Sequence, residues 1–288
     1  GGAEMNYRPA FHAGNFADVF KHAILTMLVE HLGRKDKPFA VLDTHAGVGR
    51  YDLRAEAAER TGEYRDGIAR LLDAPDPPAC LDRYLGIVRD LNRGGRLRFY
   101  PGSPWIARAM LRPGDRLELA ELHPVDAATL AAEMRGDRRV RVHAMDGYAM
   151  LKSFLPPRER RGLVLIDPPF EARDEFARLA RGLAQACRRW ATGLYAVWYP
   201  VKEPDQVARF RDAVRAAPLP PALDAEFRVG EADAPGLRAC GLLLLNPPWL
   251  LEEQLRGCLP FLARLLAQGP GAGWRLEWLR RERAAAGL

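Results

Sequence analysis

Cysteine is scarce and scattered. Cys80, Cys187, Cys240 and Cys258 are the four present, and none sits in C-x-x-C spacing. That argues against a disulfide framework and against a zinc site, so no metal is expected. A reduced, cytoplasmic setting fits such a pattern. No apolar run approaches the ~18–20 residues a bilayer-spanning helix needs, and no membrane partner is expected. A basic region followed by an apolar stretch is missing near the start, so no secretory leader is expected. Residues 1–4, ahead of Met5, read as an appended scar and carry no fold information. Internal repeats and low-complexity linkers are absent as well.

What remains is a chain of 288 residues with a 48% hydrophobic share, enough for a large core. The formal net charge is +6. An anionic partner such as nucleic acid is one reading of that excess. Arginine greatly outnumbers lysine and alanine is abundant, so GC-rich coding is another.

Short β-type runs alternate with helical stretches, the pattern of a mostly parallel sheet with helices on both faces. Seven strands are expected, over residues 39–44, 116–121, 140–144, 163–167, 193–198, 225–229 and 241–246. Helices are expected over 125–134, 174–191 and 204–216. Residues 52–96 break this rhythm with a helical pattern. They read as an inserted subdomain over one edge of the sheet, dividing a main domain of residues 1–51 and 97–288. Long insertions at loops cost little free energy, and they often shape a substrate surface.

The stretch "FAVLDTHAGVGRY" (39–51) is a strand followed by a glycine turn. Gly47 and Gly49 stand just past its carboxyl end, where open α/β sheets bind ligands. Asp43 precedes the turn. Glu121 ends the next strand, where an acid can hold both ribose hydroxyls. Asp146 and Gly147 follow a third strand, where a carboxylate and a backbone N–H can read the amino edge and ring nitrogen of adenine. Any one such acid is ordinarily a helix cap or a turn residue. Several in register at strand ends point to a nucleoside. Position 52 is Asp, so the third glycine of G-x-G-x-x-G is missing and a pyrophosphate is disfavoured. An adenosine ligand without phosphates, such as S-adenosyl-L-methionine, fits better.

"LVLIDPPF" (163–170) ends a buried strand on Asp167, stiffens the next two residues and adds a ring. An exocyclic base amine is a poor nucleophile because its lone pair is delocalised into the ring. Acceptors aimed at its two N–H bonds favour the sp³ geometry that attack on a methyl requires. Asp167 offers one acceptor and the carbonyl of Pro168 the other, fixed in advance by the prolines. Phe170 can stack on a flipped-out base. A second stretch, "LLLLNPPW" (242–249), has the same form. Its strand comes late in the chain and is expected at a far edge, so Asp167 is preferred over Asn246.

The N-terminal "YRPAFHAGNFADVFKH", with "LDTHAGVGRY", "ERTGEY", "YPGSPWIA", "ELHP", "LIDPPF", "YAVWYP" and "NPPW", closely resembles the RlmJ-type 23S ribosomal RNA adenine-N6 methyltransferases. The resemblance runs from Tyr7 to about Trp274. It implies a Rossmann-like class I methyltransferase fold with a helical subdomain inserted after the first strand. It also implies that S-adenosyl-L-methionine is held by His22, His45, Ser103, Glu121, Asp146 and Gly147, with Lys21 beside them. Asp167 matches the catalytic position, and Tyr7 a position that contacts the RNA. Phe170 departs from the family's more usual tyrosine, which costs any hydroxyl hydrogen bond but not stacking. Phe16 stands where a relative has histidine.

The expected protein is therefore a cytoplasmic monomer that methylates 23S ribosomal RNA, naked or in an assembly intermediate. The basic surface and the insertion would grip RNA phosphates. A DNA adenine methyltransferase, a non-catalytic RNA-binding protein of the same fold and a nucleotide-dependent oxidoreductase remain as alternatives.

Overall fold

The computed structural model describes residues 9–281. Its centre is an eight-stranded sheet rather than the seven-stranded one expected. The strands are β1 (Ala40–Asp43), β4 (Arg116–Ala120), β5 (Val140–His143), β6 (Gly162–Ile166), β7 (Leu194–Pro200), β8 (Ala222–Arg228), β9 (Ala239–Leu245) and β10 (Gly273–Arg280). A separate ribbon pairs β2 (Arg50–Asp52) with β3 (Phe99–Pro101). The sheet order is β10-β8-β9-β7-β6-β1-β4-β5. The five strands from β5 to β7 run parallel, while β9 and β10 are antiparallel to their neighbours.

The strand residues explain this placement. Every residue of β6, "GLVLI", is buried, as a parallel strand covered on both faces requires. By contrast β10, "GWRLEWLR", alternates charged and apolar residues and lies at the sheet's edge, pairing only with β8. That half-polar pattern, right after a glycine-rich turn, hides the extra strand in the sequence.

Two cores flank the sheet. One face packs α1 (Phe16–Leu32), the insertion and the helix Leu251–Leu265. The other packs the helices Gly147–Ser153, Glu175–Arg189 and Pro204–Ala216. The helix Glu175–Arg189 buries Phe176, Leu179, Leu183 and Cys187, one face at helical spacing. α1 begins where Asn15 accepts the N–H of Asp18, while the Asp18 carboxylate accepts that of Gly14.

The insertion contributes the helices Glu56–Thr61, Ile68–Asp73 and Asp82–Leu91. It packs on the helical layer: Arg70 donates to the carbonyls of Leu265 and Ala267. It also holds the chain before α1. Glu63 pairs with His12 at 2.6 Å, and the Ile68 N–H donates to the Gly14 carbonyl.

Candidate active site

The adjacent strands β1 and β6 connect onward in opposite directions, β1 to β4 and β6 to β7, which opens a cleft at the strands' carboxyl ends. Asp43 ends β1, and Asp167 follows β6 in the adjacent position. Glu121 and Asp146 follow β4 and β5. The carboxylates predicted at strand ends therefore share one edge of the sheet.

Asp167 is ion-paired with Lys21, one turn into α1, and Lys21 also reaches Asp18 at 3.5 Å. Burial would lower the Lys21 pKa, but the Asp167 and Asp18 carboxylates outweigh it and hold the ammonium above its ordinary range. Asp43 is 2% exposed. It accepts the Ser103 hydroxyl at 2.5 Å and the His45 N–H at 3.4 Å. Burial pushes its carboxyl up to about 7, against the opposing hydrogen bond from Ser103. His22 is buried and bonded to the Tyr100 hydroxyl at 2.6 Å, which in turn meets Tyr84 at 2.8 Å. Burial and then Lys21 hold His22 well below its usual pKa. His45 contacts the Thr44 hydroxyl at 2.7 Å, and burial lowers its pKa to about 4. Both imidazoles are neutral at pH 7.

The glycine turn fits a ligand cradle. Gly47 and Gly49 have φ of +74° and +93°, conformations that L side chains rarely adopt. The Gly47 N–H donates to one Glu121 oxygen at 3.1 Å and the His123 N–H to the other at 2.9 Å. Each carboxylate oxygen keeps a lone pair for a further donor such as a ribose hydroxyl. Asp146 caps the helix that begins at Gly147. A Cβ on Gly147 would stand 2.2 Å from the Thr44 carbonyl and 2.9 Å from the His45 ring. The β1 loop and this helix start thus close on each other. These residues fit an adenosine cofactor.

Pro168 is buried and Phe170 half-buried behind Asp167. Phe170 has φ of +52°, a strained backbone for an aromatic residue. Its ring lies 4.9 Å from Phe176 and 6.1 Å, edge-on, from Trp198. The Lys21 ammonium sits 6.0 Å from the Trp198 ring.

Asn246 does not belong to this site. β9 is an interior strand, not the far-edge one expected, and it runs antiparallel to β7. Its carboxyl end therefore lies at the opposite end of the sheet. There Asn246 donates to the carbonyls of Ala191 and Gly193, just ahead of β7. Tyr7 lies outside the described residues. Asp18, Tyr100 and Trp198 join the site, although the sequence alone assigns them no part in it. The one available signal is the helical spacing of Asp18 and Lys21, which puts them on one face.

Comparison with known proteins settles the family. The model of the family described as "Ribosomal RNA large subunit methyltransferase D, RlmJ" matches residues 36–280. This chain belongs to that family. The ribosomal RNA large subunit methyltransferase J of Escherichia coli is 48% identical over 93% of this chain and 96% of its own. That of Haemophilus influenzae is 43% identical over 96% of this chain and all of its own. A crystal structure of a Legionella pneumophila protein superposes with a TM-score of 0.86 at 35% identity, covering 93% of this chain and 98% of that one. The protein is thus an enzyme, a methyltransferase with the Rossmann-like fold.

Proposed function

We propose that this enzyme transfers a methyl group from S-adenosyl-L-methionine to N6 of one adenine in 23S ribosomal RNA. The observation that carries the reading is the convergence of Asp167, Glu121 and Asp146 on one sheet edge, with the Pro168–Phe170 turn beside Asp167.

When bound, the cofactor supplies an electrophilic sulfonium methyl. Glu121 would hold its ribose, and Asp146 with the Gly147 N–H its adenine. Ser103, His22 and His45 line the remaining cradle, where the two neutral imidazoles add no charge against a cationic ligand. Asp167 and the Pro168 carbonyl accept the two N–H bonds of the target amine and pull its lone pair out of conjugation. Phe170 stacks on the flipped base. Lys21 keeps Asp167 fixed before the amine arrives. Asp167 acts as a hydrogen-bond acceptor, and the surplus proton leaves after transfer. Oriented contact of this kind removes up to roughly 7–11 kcal/mol of barrier.

No helix among the described residues is long and apolar enough to cross a membrane. The reading places the enzyme in the cytoplasm as a monomer, with Tyr7 contacting RNA. Parallel transfer assays on naked 23S RNA, an unmethylated ribosomal precursor particle and duplex DNA test it. Methylation of an RNA substrate supports the reading. Transfer to DNA alone refutes it.

A further inference from the structure

The turn between the helix Asp82–Leu91 and β3 is braced by the side chain of Asn92. Asn92 Oδ1 accepts the N–H groups of Arg98 and Phe99, each at 2.8 Å. Asn92 Nδ2 donates to the carbonyls of Val88 and Phe99, also at 2.8 Å. The turn closes through the Gly95 N–H on the Asn92 carbonyl at 3.0 Å, with Gly95 at φ +86°. One amide side chain thus fixes both ends of a loop that displays arginines.

Those arginines face one cleft of about 270 Å³, lined by Arg54, Arg93, Arg96, Arg98 and Phe99. All four are exposed. Arg98 is partly balanced by Asp52 at 3.4 Å and stacks over the Phe99 ring at 4.7 Å. Among the described residues no carboxylate forms an ion pair with Arg54, Arg93 or Arg96. Gathering cations with so little compensation costs folding energy, and an anion bound in the cleft offsets it.

The cleft is tied to the site through the β2–β3 ribbon. At one end of the ribbon the Gly102 N–H donates to the Gly49 carbonyl at 2.7 Å, and the next residue, Ser103, holds Asp43. At the other end stand Arg54 and Arg98. Arg54 lies five positions after Gly49, at most ~17 Å of extended chain. A second arginine turn, with Arg135 and Arg138 exposed, precedes β5 and so lies at the amino end of the parallel strands, away from the site.

We propose that Arg54, Arg93, Arg96 and Arg98 form a preorganised seat for RNA phosphates that sets the substrate backbone relative to the adenine pocket. This rests on the ribosomal RNA reading above. The seat takes the backbone of an RNA strand and carries no base specificity itself.

The test compares wild type, an Arg54→Gln/Arg93→Gln/Arg96→Gln variant and an Arg135→Gln/Arg138→Gln control. Affinity for an unmethylated 23S RNA fragment is measured across salt, alongside KM and kcat for methyl transfer. All five positions are exposed, so both variants should melt as wild type does. The triple variant should raise the RNA KM roughly tenfold and flatten the log–log salt slope by about 2, at roughly 0.7 per lost phosphate contact. Its kcat and its affinity for S-adenosyl-L-methionine should stay within about twofold. The control should match wild type. An unchanged KM and slope in the triple variant, or an equal loss in the control, overturns the seat while leaving the methyltransferase reading intact. A loss of affinity for duplex DNA but not for RNA overturns it too. A wild-type enzyme that transfers to no RNA brings down both.

Discussion

Lys21 and Asp167 are 146 positions apart in sequence and share an ion pair at the carboxyl edge of the sheet. Lys21 is the cation that Asp18 and Asp43 also face. Replacing it by Met leaves these carboxylates clustered and partly buried without their counter-charge. Breaking one side of a buried pair typically costs about 3 kcal/mol or more. Lys21→Met should therefore lose roughly that much stability at pH 7.5 in denaturant unfolding, and less at pH 5, where Asp43 takes up a proton. Equal losses at both pH values would show that charge compensation is not its role.

Asp43 makes stability itself depend on pH. Its folded pKa of about 7 lies above the ordinary value of 3.8. The folded state therefore holds this proton more tightly than the unfolded state. Its contribution is fully present below about pH 4 and is lost as pH rises to about 7. Relative to Asp43→Asn, wild type should lose on the order of 3 kcal/mol between pH 4.5 and 7.5, at ~1.4 kcal/mol for each tenfold difference in proton affinity. Parallel stability curves for the two proteins would contradict this.

Gly147 is where the β1 loop meets the helix proposed to read adenine. A methyl group at that position collides with the backbone of Thr44. Gly147→Ala should lower the melting temperature and weaken S-adenosyl-L-methionine binding at least tenfold by calorimetry. Wild-type affinity in a folded variant would place the adenine elsewhere.

Asn246 offers the reverse case. Its amide satisfies two carbonyls far from the chemistry. Asn246→Ala should cost about 1–2 kcal/mol of stability and leave kcat unchanged. A hundredfold loss of kcat in a well-folded variant would return the N-P-P corner to the active site.

These two prolyl corners show what the sequence can and cannot reveal. The position of Asp167 was legible because its apolar run follows the strands of Asp43, Glu121 and Asp146 directly, as the next parallel neighbour would. Asn246 follows an equally apolar run, but local pattern does not say which way a strand points. Its direction comes from β9 entering the sheet between β7 and β8, a long-range pairing. The Lys21–Asp167 pair was hidden for the same reason, since nothing within either segment shows that the two meet. Asp43 carried a faint signal, a carboxylate ending a buried strand just as Asp167 does. Its bond to Ser103 depends on how the insertion returns the chain through β3. The extra strand β10 stayed hidden because an edge strand alternates charge with apolar residues and so resembles a polar surface segment.

The most direct measurement incubates unmethylated 23S RNA and S-adenosyl-L-methionine with wild type or Asp167→Asn and maps every new methyl group by mass spectrometry. The amide keeps the shape but loses the charge and one acceptor, a change worth roughly 10²–10³ in rate when a preorganised polar contact is removed. The account predicts one N6-methyladenine with wild type, at most about a hundredth of that rate with the variant, and equal cofactor binding by both. Methylation at a different atom, or an Asp167→Asn enzyme as fast as wild type, would contradict it.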